Sequence, residues 1–348
     1  MVAPNSTSLR EPLNATAWDP AGLTAWESPW APVFMSSPFR EPPSLRPLYV
    51  ALFAVTYAAI VAGNSLLVAA IFLDRRLHRP MFVLLANLAA CDLLGSTATL
   101  PGYARNVASA DGVPLGTCVA QMYVAHIYGA LAGLSLASMA VDRALAVRRP
   151  LRYASIVTNG RALAACAVVD GVAAALMLGF VALASRLRLC GERHVAMPHC
   201  DHFALVRMAC DAAGDAAANR AYDLAVKSTL LAGGAATVLA SYALVATLRL
   251  GGGGDGDGAS RRSRGKALRT CVTHLMVFLV LQVSVVLLIA QNHIQRYLVD
   301  SVYLPAYLAI NFHVVPPLLN PIIYGLRTVE IQHGVRKLFR RKVLPAYH

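Results

Sequence analysis

The chain alternates long apolar segments with short polar ones, and the apolar segments dominate its pattern. Seven of them reach the length of about 20 mostly apolar residues that a helix needs to cross the hydrocarbon core of a membrane. The predicted spans are Leu48–Leu73, Pro80–Tyr103, Thr117–Val141, Ala162–Ser185, Leu224–Leu248, Thr270–Ala290 and Tyr303–Leu326. Each apolar run is continuous, whereas the strands of a membrane barrel alternate over about 10 residues. The pattern therefore predicts an all-α membrane protein, a bundle of seven transmembrane helices.

The polar segments divide the chain into three regions. Residues 1–47 are predicted to form an extracellular N-terminal tail, residues 48–326 the transmembrane domain and residues 327–348 a cytoplasmic tail. The last region contains an amphipathic stretch, Thr328–Arg341, which is typical of a helix at the membrane interface. The first has no apolar signal segment, but it carries glycosylation sequons at Asn5 and Asn14, as expected of an exported segment.

The distribution of charge points to a membrane rather than to nucleic acid. Only 14% of the residues are charged and 57% are hydrophobic, and the net charge is +13; soluble domains are about 25% charged. With the N-terminus outside, the cytoplasmic segments hold twenty Lys and Arg residues against five acids, and the outer segments are almost neutral. This positive-inside pattern orients a multi-pass plasma-membrane protein. It accounts for the basic excess without a nucleic-acid partner.

Four cysteines fall on the predicted outer side, where the compartment is oxidising. They are Cys118, Cys190, Cys200 and Cys210. An even set of cysteines in such a compartment indicates two disulfides, and the sequence alone permits three pairings.

Five features, in chain order, resemble those of vertebrate odorant receptors in the rhodopsin-like class A family of G-protein-coupled receptors. They are LHRPMFVLLANLAACDLL (Leu77–Leu94), MAVDRALAVRRPLRY (Met139–Tyr153), the spacing of Cys190, Cys200 and Cys210, KALRTCVTHL (Lys266–Leu275) and PPLLNPIIYGLR (Pro316–Arg327). The resemblance covers most of the chain from Leu48 to Phe339. Ala144 and Gln282 stand where the family usually has a tyrosine and an aromatic residue, which suggests a divergent, fish-type branch.

The resemblance implies residues that act in G-protein coupling and activation. Those residues are Asp92, Asp142, Arg143, Tyr242, Asn320, Pro321 and Tyr324. Asp142 and Arg143 match a charged pair that restrains the inactive state and meets the G protein when released. Asn320 to Tyr324 match a switch in the seventh helix, and Tyr242 matches a residue that stabilises the active arrangement.

The resemblance also implies which groups pair with one another. It implies one disulfide between Cys118 and Cys200 and a second between Cys190 and Cys210. Asn64 and Asn320 are the expected hydrogen-bond partners of Asp92. A sodium ion at Asp92 is not expected, and neither a metal site nor a cofactor is predicted.

By resemblance, the level of Lys227 near the outer end of the fifth span faces the ligand cavity, and the candidate ligand contacts come from four spans. They are Met122, His126, Gly129, Lys227, Gln282, Ile289, Ile310 and His313. Lys227 is the only lysine in a span, and an ionisable residue there is a functional candidate. One hypothesis is that it binds an anionic or strongly polar group of the ligand. The alternative is structural: an ion pair with Asp223, four residues earlier, or extension of the side chain towards the lipid headgroups. Ala125 replaces the acid of amine-sensing relatives, which disfavours a simple cationic amine.

Two further polar features have structural interpretations. Asp170, in the middle of the fourth span, is predicted to be protonated and hydrogen-bonded between helices. The outer histidines His194, His199 and His202 are interpreted as part of a solvated loop rather than as metal ligands.

This chain lacks the residues that competing classes of protein require. An opsin needs a lysine in the seventh span, and Leu298–Leu326 contains none. A transporter would show chains of carboxylates or inverted repeats, and a membrane enzyme would show a clustered catalytic set. A class A receptor for a lipid, amine or peptide is the nearest rival. We therefore expect a non-enzymatic chemosensory receptor of olfactory cilia, which binds a small odorant or pheromone-like molecule and raises cyclic AMP through a stimulatory G protein.

Overall fold

A computed structural model gives the fold of most of the chain. The residues it describes are 32–35, 42–109, 112–149, 152–190, 194–195, 197–210, 214–250, 258–294 and 304–342. The sequons at Asn5 and Asn14 lie outside these residues, and so do the side chains of His194, His293 and Ala306.

The described residues form long helices joined by short elements. In chain order the elements are β1 (Pro32–Met35), α1 (Arg46–Leu73), α2 (Pro80–Ala108), β2 (Val113–Pro114), α3 (Leu115–Arg148), α4 (Tyr153–Ile156), α5 (Asn159–Ala184), β3 (His194–Val195), α6 (His202–Arg207), α7 (Asp215–Leu250), α8 (Gly258–Ile294), α9 (Leu304–Arg327) and α10 (Val329–Lys342). The seven predicted spans correspond to α1, α2, α3, α5, α7, α8 and α9, and most of these helices extend beyond the apolar segments into polar sequence.

Six of these helices are long and apolar enough to cross a membrane, namely α1, α2, α3, α5, α7 and α8. Helix α9 has 24 residues and so a length of about 36 Å, but three prolines and several polar residues make it less apolar. Its polar residues His313 and Asn320 are buried in the bundle. In that position they avoid lipid, so the helix completes a bundle of seven spans.

Local sequence signals set where several helices begin. Pro80 is the first residue of α2, where its missing N–H costs no hydrogen bond. The Thr158 side chain accepts a hydrogen bond from the Arg161 backbone N–H and caps α5. The Asp201 carboxylate caps α6 in the same way through the Phe203 N–H.

The core lies between the spans, and α3 is central to it, since α3 contacts α2, α5, α7 and α8. One buried cluster surrounds the disulfides, and we call this part of the molecule the disulfide end of the bundle. A second buried cluster surrounds Met139 and Tyr324, and we call this part of the molecule the Arg143 end of the bundle. Close helix approach needs glycine at Gly179, where an added Cβ would lie 2.2 Å from the Tyr222 hydroxyl.

The loops at the disulfide end form a cover over the bundle. Strand β1 pairs antiparallel with β2 and parallel with β3, so part of the N-terminal region joins the loops. The Cys118–Cys200 and Cys190–Cys210 disulfides are present, which confirms the pairings that the resemblance implied.

Helix α10 packs on the connection between α1 and α2, at the Arg143 end of the bundle. Ile331 is buried there, and Gly334 lets α10 approach Leu77, whose side chain would lie 2.9 Å from an added Cβ. Lys337 Nζ lies 2.9 Å from the Asp74 carboxylate. This hydrogen bond, opposed in part by burial, holds the pKa of Asp74 below its ordinary value.

Candidate functional site

A cavity of about 110 Å³ opens inside the bundle at the disulfide end. Its walls come from α3, α5, α7, α8 and α9, and the loop before α6 covers one side. The residues that line it are Ala125, His126, Gly129, Ala130, Gly133, Met177, Phe180, His199, Asp201, Val226, Lys227, Leu230, Leu231, Leu281, Gln282, Val285, Leu288, Ile289, Phe312 and His313. Most of them are apolar, and the polar ones are His126, His199, Asp201, Lys227, Gln282 and His313.

Six of the eight candidate ligand contacts line this cavity: His126, Gly129, Lys227, Gln282, Ile289 and His313. The other two lie elsewhere. Met122 is buried in the cluster around the disulfides. Ile310 packs with Phe53 and Tyr103 against α1 and α2, on another side of α9. Both were predicted from the level of the spans that the resemblance assigns to the ligand, and at that level a helix presents its residues on different sides.

The outer loop contributes a residue, Asp201, that was not among the predicted ligand contacts. Cys200 is bonded to Cys118 at the start of α3, and its backbone N–H donates to Gln121 Oε1 at 3.0 Å. The disulfide and the hydrogen bond together hold the next residue, Asp201, over the cavity. The signal was present in the sequence, since any residue adjacent to a cysteine bonded to the third span must lie near the top of that span.

The loop histidines are buried, so the interpretation of a solvated loop is wrong for His199 and His202. Their side chains are 3% and 1% exposed. His199 Nδ1 lies 3.3 Å from the Tyr103 hydroxyl, and His202 Nε2 lies 2.8 Å from Asn219 Oδ1. Burial lowers the pKa of His199, which keeps it neutral at pH 7.

Lys227 forms the ion pair with Asp223 that was one of its predicted roles. Its Nζ lies 2.6 Å from Asp223 Oδ1, one helical turn earlier on α7. Asp201 brings a second carboxylate to the same region. Burial alone would raise the pKa of Asp201, but the positive charge of Lys227 opposes it, and the pKa lies below its ordinary value.

Asp92 lies in the middle of the bundle, where one of its two expected partners is found. Asn320 Nδ2 donates to Asp92 Oδ2 at 2.7 Å. Asn64 does not bond to Asp92; its Nδ2 donates to the carbonyl oxygens of Ile60 and Pro317. Pro321 has no N–H to offer the carbonyl four residues earlier, so Asn64 satisfies the Pro317 oxygen instead.

The Arg143 end contains a second polar cluster, separate from the cavity. The Arg143 guanidinium is hydrogen-bonded to the Asp142 carboxylate, and the Tyr153 hydroxyl donates to the same carboxylate at 2.6 Å. On the facing helices, His274 Nδ1 lies 3.0 Å from the Tyr324 hydroxyl. Tyr242 packs against the buried cluster that contains Tyr324.

Asp170 bonds between helices, as predicted from its position in the fourth span. Asn87 Nδ2 on α2 donates to Asp170 Oδ1 on α5 at 3.0 Å. The same amide lies 3.4 Å from Ser135 Oγ on α3. Asp170 is thus part of the packing of three helices, away from the cavity.

A bundle of seven spans with a cavity at one end and an arginine cluster at the other is the arrangement of a transmembrane receptor. A family model described as "Olfactory receptor" matches residues 53–342. The chain is 33% identical to human Olfactory receptor 1M1 over 87% of its own length and 93% of that protein. It is 32% identical to human Olfactory receptor 52K1 (83% and 89%) and 31% identical to mouse Olfactory receptor 1M1 (87% and 93%). The chain belongs to the olfactory receptor family, so it is a G-protein-coupled receptor and not an enzyme.

Proposed function

We propose that a small odorant-type molecule binds in the cavity and thereby activates a stimulatory heterotrimeric G protein, which raises cyclic AMP. The observation that carries the proposal is the cavity itself: it is lined mainly by apolar side chains and has a few convergent polar groups, as small-molecule sites do. The ligand shifts the receptor towards an active arrangement only as far as it binds that arrangement more tightly.

Helices α8 and α9 connect the cavity with the Arg143 end. Leu281 and Gln282 on α8 line the cavity, and His274 on the same helix contacts Tyr324 on α9. Ser284 Oγ also lies 3.2 Å from Asn311 Oδ1, which joins these two helices nearer the cavity. In the proposed mechanism a ligand moves α8 relative to α9, and Arg143 leaves Asp142 to meet the G protein.

The chain is proposed to lie in the plasma membrane of sensory cilia with its N-terminus outside. This orientation places both disulfides in the oxidising compartment and the basic α10 at the cytoplasmic side. Antibody labelling of an N-terminal epitope on intact cells tests it. Asn5→Gln and Asn14→Gln should each increase gel mobility if the sequons carry glycans; labelling only after permeabilisation contradicts the orientation.

The signalling proposal is tested in cells that lack endogenous G-protein α subunits. Stimulatory or inhibitory α subunits are added back, and cyclic AMP is recorded while a panel of small volatiles is applied. A rise in cyclic AMP only with the stimulatory subunit is expected, with loss of that rise in Arg143→Ala at equal surface level. A response that depends on the inhibitory subunit contradicts the choice of transducer.

A further inference from the structure

The charges around the cavity do not suit an anion. Asp201 and Lys227 are the charged side chains that line it among the described residues. The Lys227 ammonium is already bound to Asp223 at 2.6 Å. Two carboxylates therefore stand against one ammonium, and the polar side of the cavity carries a net negative charge. An anionic ligand would be repelled by Asp201 and would have to compete with Asp223 for Lys227.

His126 adds a hydrogen-bond acceptor beside Asp201. Its Nδ1 lies 2.9 Å from the carbonyl oxygen of Met122, and a carbonyl can only accept, so the hydrogen of the neutral ring is on Nδ1. The other nitrogen, Nε2, is then an acceptor. It lies 3.8 Å from Asp201 Oδ1, which is too far for a hydrogen bond. Two acceptors face one another without a donor between them.

His313 shows the same arrangement on the opposite wall. Its Nδ1 lies 2.9 Å from the carbonyl oxygen of Ala309 and 3.1 Å from the Tyr103 hydroxyl. In the tautomer whose Nδ1 donates to the carbonyl oxygen, Nε2 is an acceptor as well. That Nε2 is buried and has no hydrogen-bond partner within the described residues. A buried acceptor without a donor costs free energy, so a ligand that supplies N–H groups is favoured here.

We propose that the ligand is a small protonated amine whose N–H groups donate to Asp201 Oδ1 and His126 Nε2. This inference rests on the proposed function, since it names the ligand class of the same cavity. An ammonium offers up to three donors and a positive charge, whereas an alcohol offers one donor and no charge. Ala125 removes the usual acid from α3, and Asp201 supplies a carboxylate from the loop instead.

The volume limits the size of the amine. The cavity of about 110 Å³ is of the same order as the roughly 150 Å³ engineered cavity that binds benzene. The apolar part of such a ligand fits against Gly129, Gly133 and Leu281, which lie deeper in the bundle. Aliphatic amines of this size are protonated at pH 7, as lysine is, with a pKa of about 10.4.

The test compares compounds with one carbon skeleton and different polar groups. One series is isopentylamine, isopentanol and isovaleric acid; a second is cyclopentylmethylamine, cyclopentylmethanol and cyclopentanecarboxylic acid. Binding is measured as a shift in the melting temperature of the purified full-length receptor, and signalling as cyclic AMP in cells. The amine of at least one series should stabilise the receptor at about tenfold lower concentration than its alcohol or acid.

Matched variants locate the site. Asp201→Asn removes the charge but keeps an oxygen that caps α6, since asparagine and aspartate are equally good caps. It should raise the amine concentration that is required to stabilise the receptor by about tenfold or more. Asp215→Asn, an exposed acid in the first turn of α7, should leave it unchanged, and Asp201→Glu should keep the preference for amines.

The outcomes separate this inference from the proposed function. Equal or better responses to the acid or the alcohol overturn the amine assignment and leave the receptor function standing. If an amine stabilises the receptor but causes no rise in cyclic AMP in cells, the proposed signalling is overturned and the amine site stands. No stabilisation by either amine, or an amine effect unchanged in Asp201→Asn, overturns the amine assignment.

Discussion

The Tyr153 hydroxyl, in the short helix α4, donates a hydrogen bond of 2.6 Å to the Asp142 carboxylate at the end of α3. Burial raises the pKa of Tyr153, so the hydroxyl remains a donor at all physiological pH values. Asp142 in turn is hydrogen-bonded to Arg143. The connection after α3 therefore helps to hold the acid that restrains the arginine in the proposed mechanism.

Removing that hydroxyl should release part of the restraint. We expect Tyr153→Phe to raise basal cyclic AMP by about threefold or more, because a hydrogen bond to a charged group contributes roughly 1.5–3 kcal/mol. Tyr123→Phe, which removes a hydroxyl nearer the disulfide end of α3, is the control. Basal signalling that is equal in the two variants, at matched surface level, would show that Tyr153 does not restrain Arg143.

The Asp92–Asn320 hydrogen bond can be isolated by a double-mutant cycle. Asn320→Ala should lower the free energy of unfolding by roughly 1.5–3 kcal/mol, because it takes the hydrogen-bond donor from a buried carboxyl. Combining it with Asp92→Asn should restore part of the loss. Thermal unfolding of the four purified receptors gives the coupling; strictly additive effects would contradict a direct interaction.

Asp170 should tolerate an isosteric change but not an apolar one. Asp170→Asn keeps an oxygen for Asn87, so we expect surface expression and melting temperature close to those of the unmodified chain. Asp170→Leu should cost about 1 kcal/mol, the scale of hydrogen bonds between membrane helices. An equal loss in both variants would indicate that the charge of Asp170, rather than its hydrogen bond, stabilises the bundle.

The ion pair between Lys337 and Asp74 should make the docking of α10 depend on pH. The pKa of Asp74 is lowered in the folded chain, so its contribution is present above its ordinary pKa of 3.8 and lost as the pH falls through the lowered value. Asp74→Asn should cost about 0.5 kcal/mol at pH 7, since Lys337 is half exposed. Arg336→Met on the same helix is the control, and melting temperatures measured from pH 7 downwards should converge in acid.

The sequence predicted the spans, the disulfides and the charged pair well, because each depends on a pattern that is local or shared by the family. It failed where the structure depends on contacts between distant segments. Nothing near Asn64 indicates that its amide serves the Pro317 carbonyl, since that need arises from Pro321 on another helix. Strand β1 was also missed, because four residues of a polar tail carry no periodic signal.

The ligand site was predicted only in part for the same reason. Three of the predicted contacts, His126, Gly129 and His313, line the cavity. The Lys227–Asp223 ion pair stood as only one of the alternatives for Lys227. Asp201 was overlooked, although the resemblance bonds its neighbour Cys200 to the start of α3. The expectation about ligand charge therefore changed once the partners of Lys227 were known.

The most direct test of the account is to fill the cavity and measure the cyclic AMP response to an activating ligand. Gly133 lines the cavity with open space beside it, and Gly171 on α5 faces outwards with equal freedom. Gly133→Leu should raise the ligand concentration for half-maximal response by about tenfold or more, because the branched leucine side chain occupies the ligand's volume. Gly171→Leu should leave it unchanged. An unchanged response in Gly133→Leu, at equal surface level, would mean that the ligand acts elsewhere.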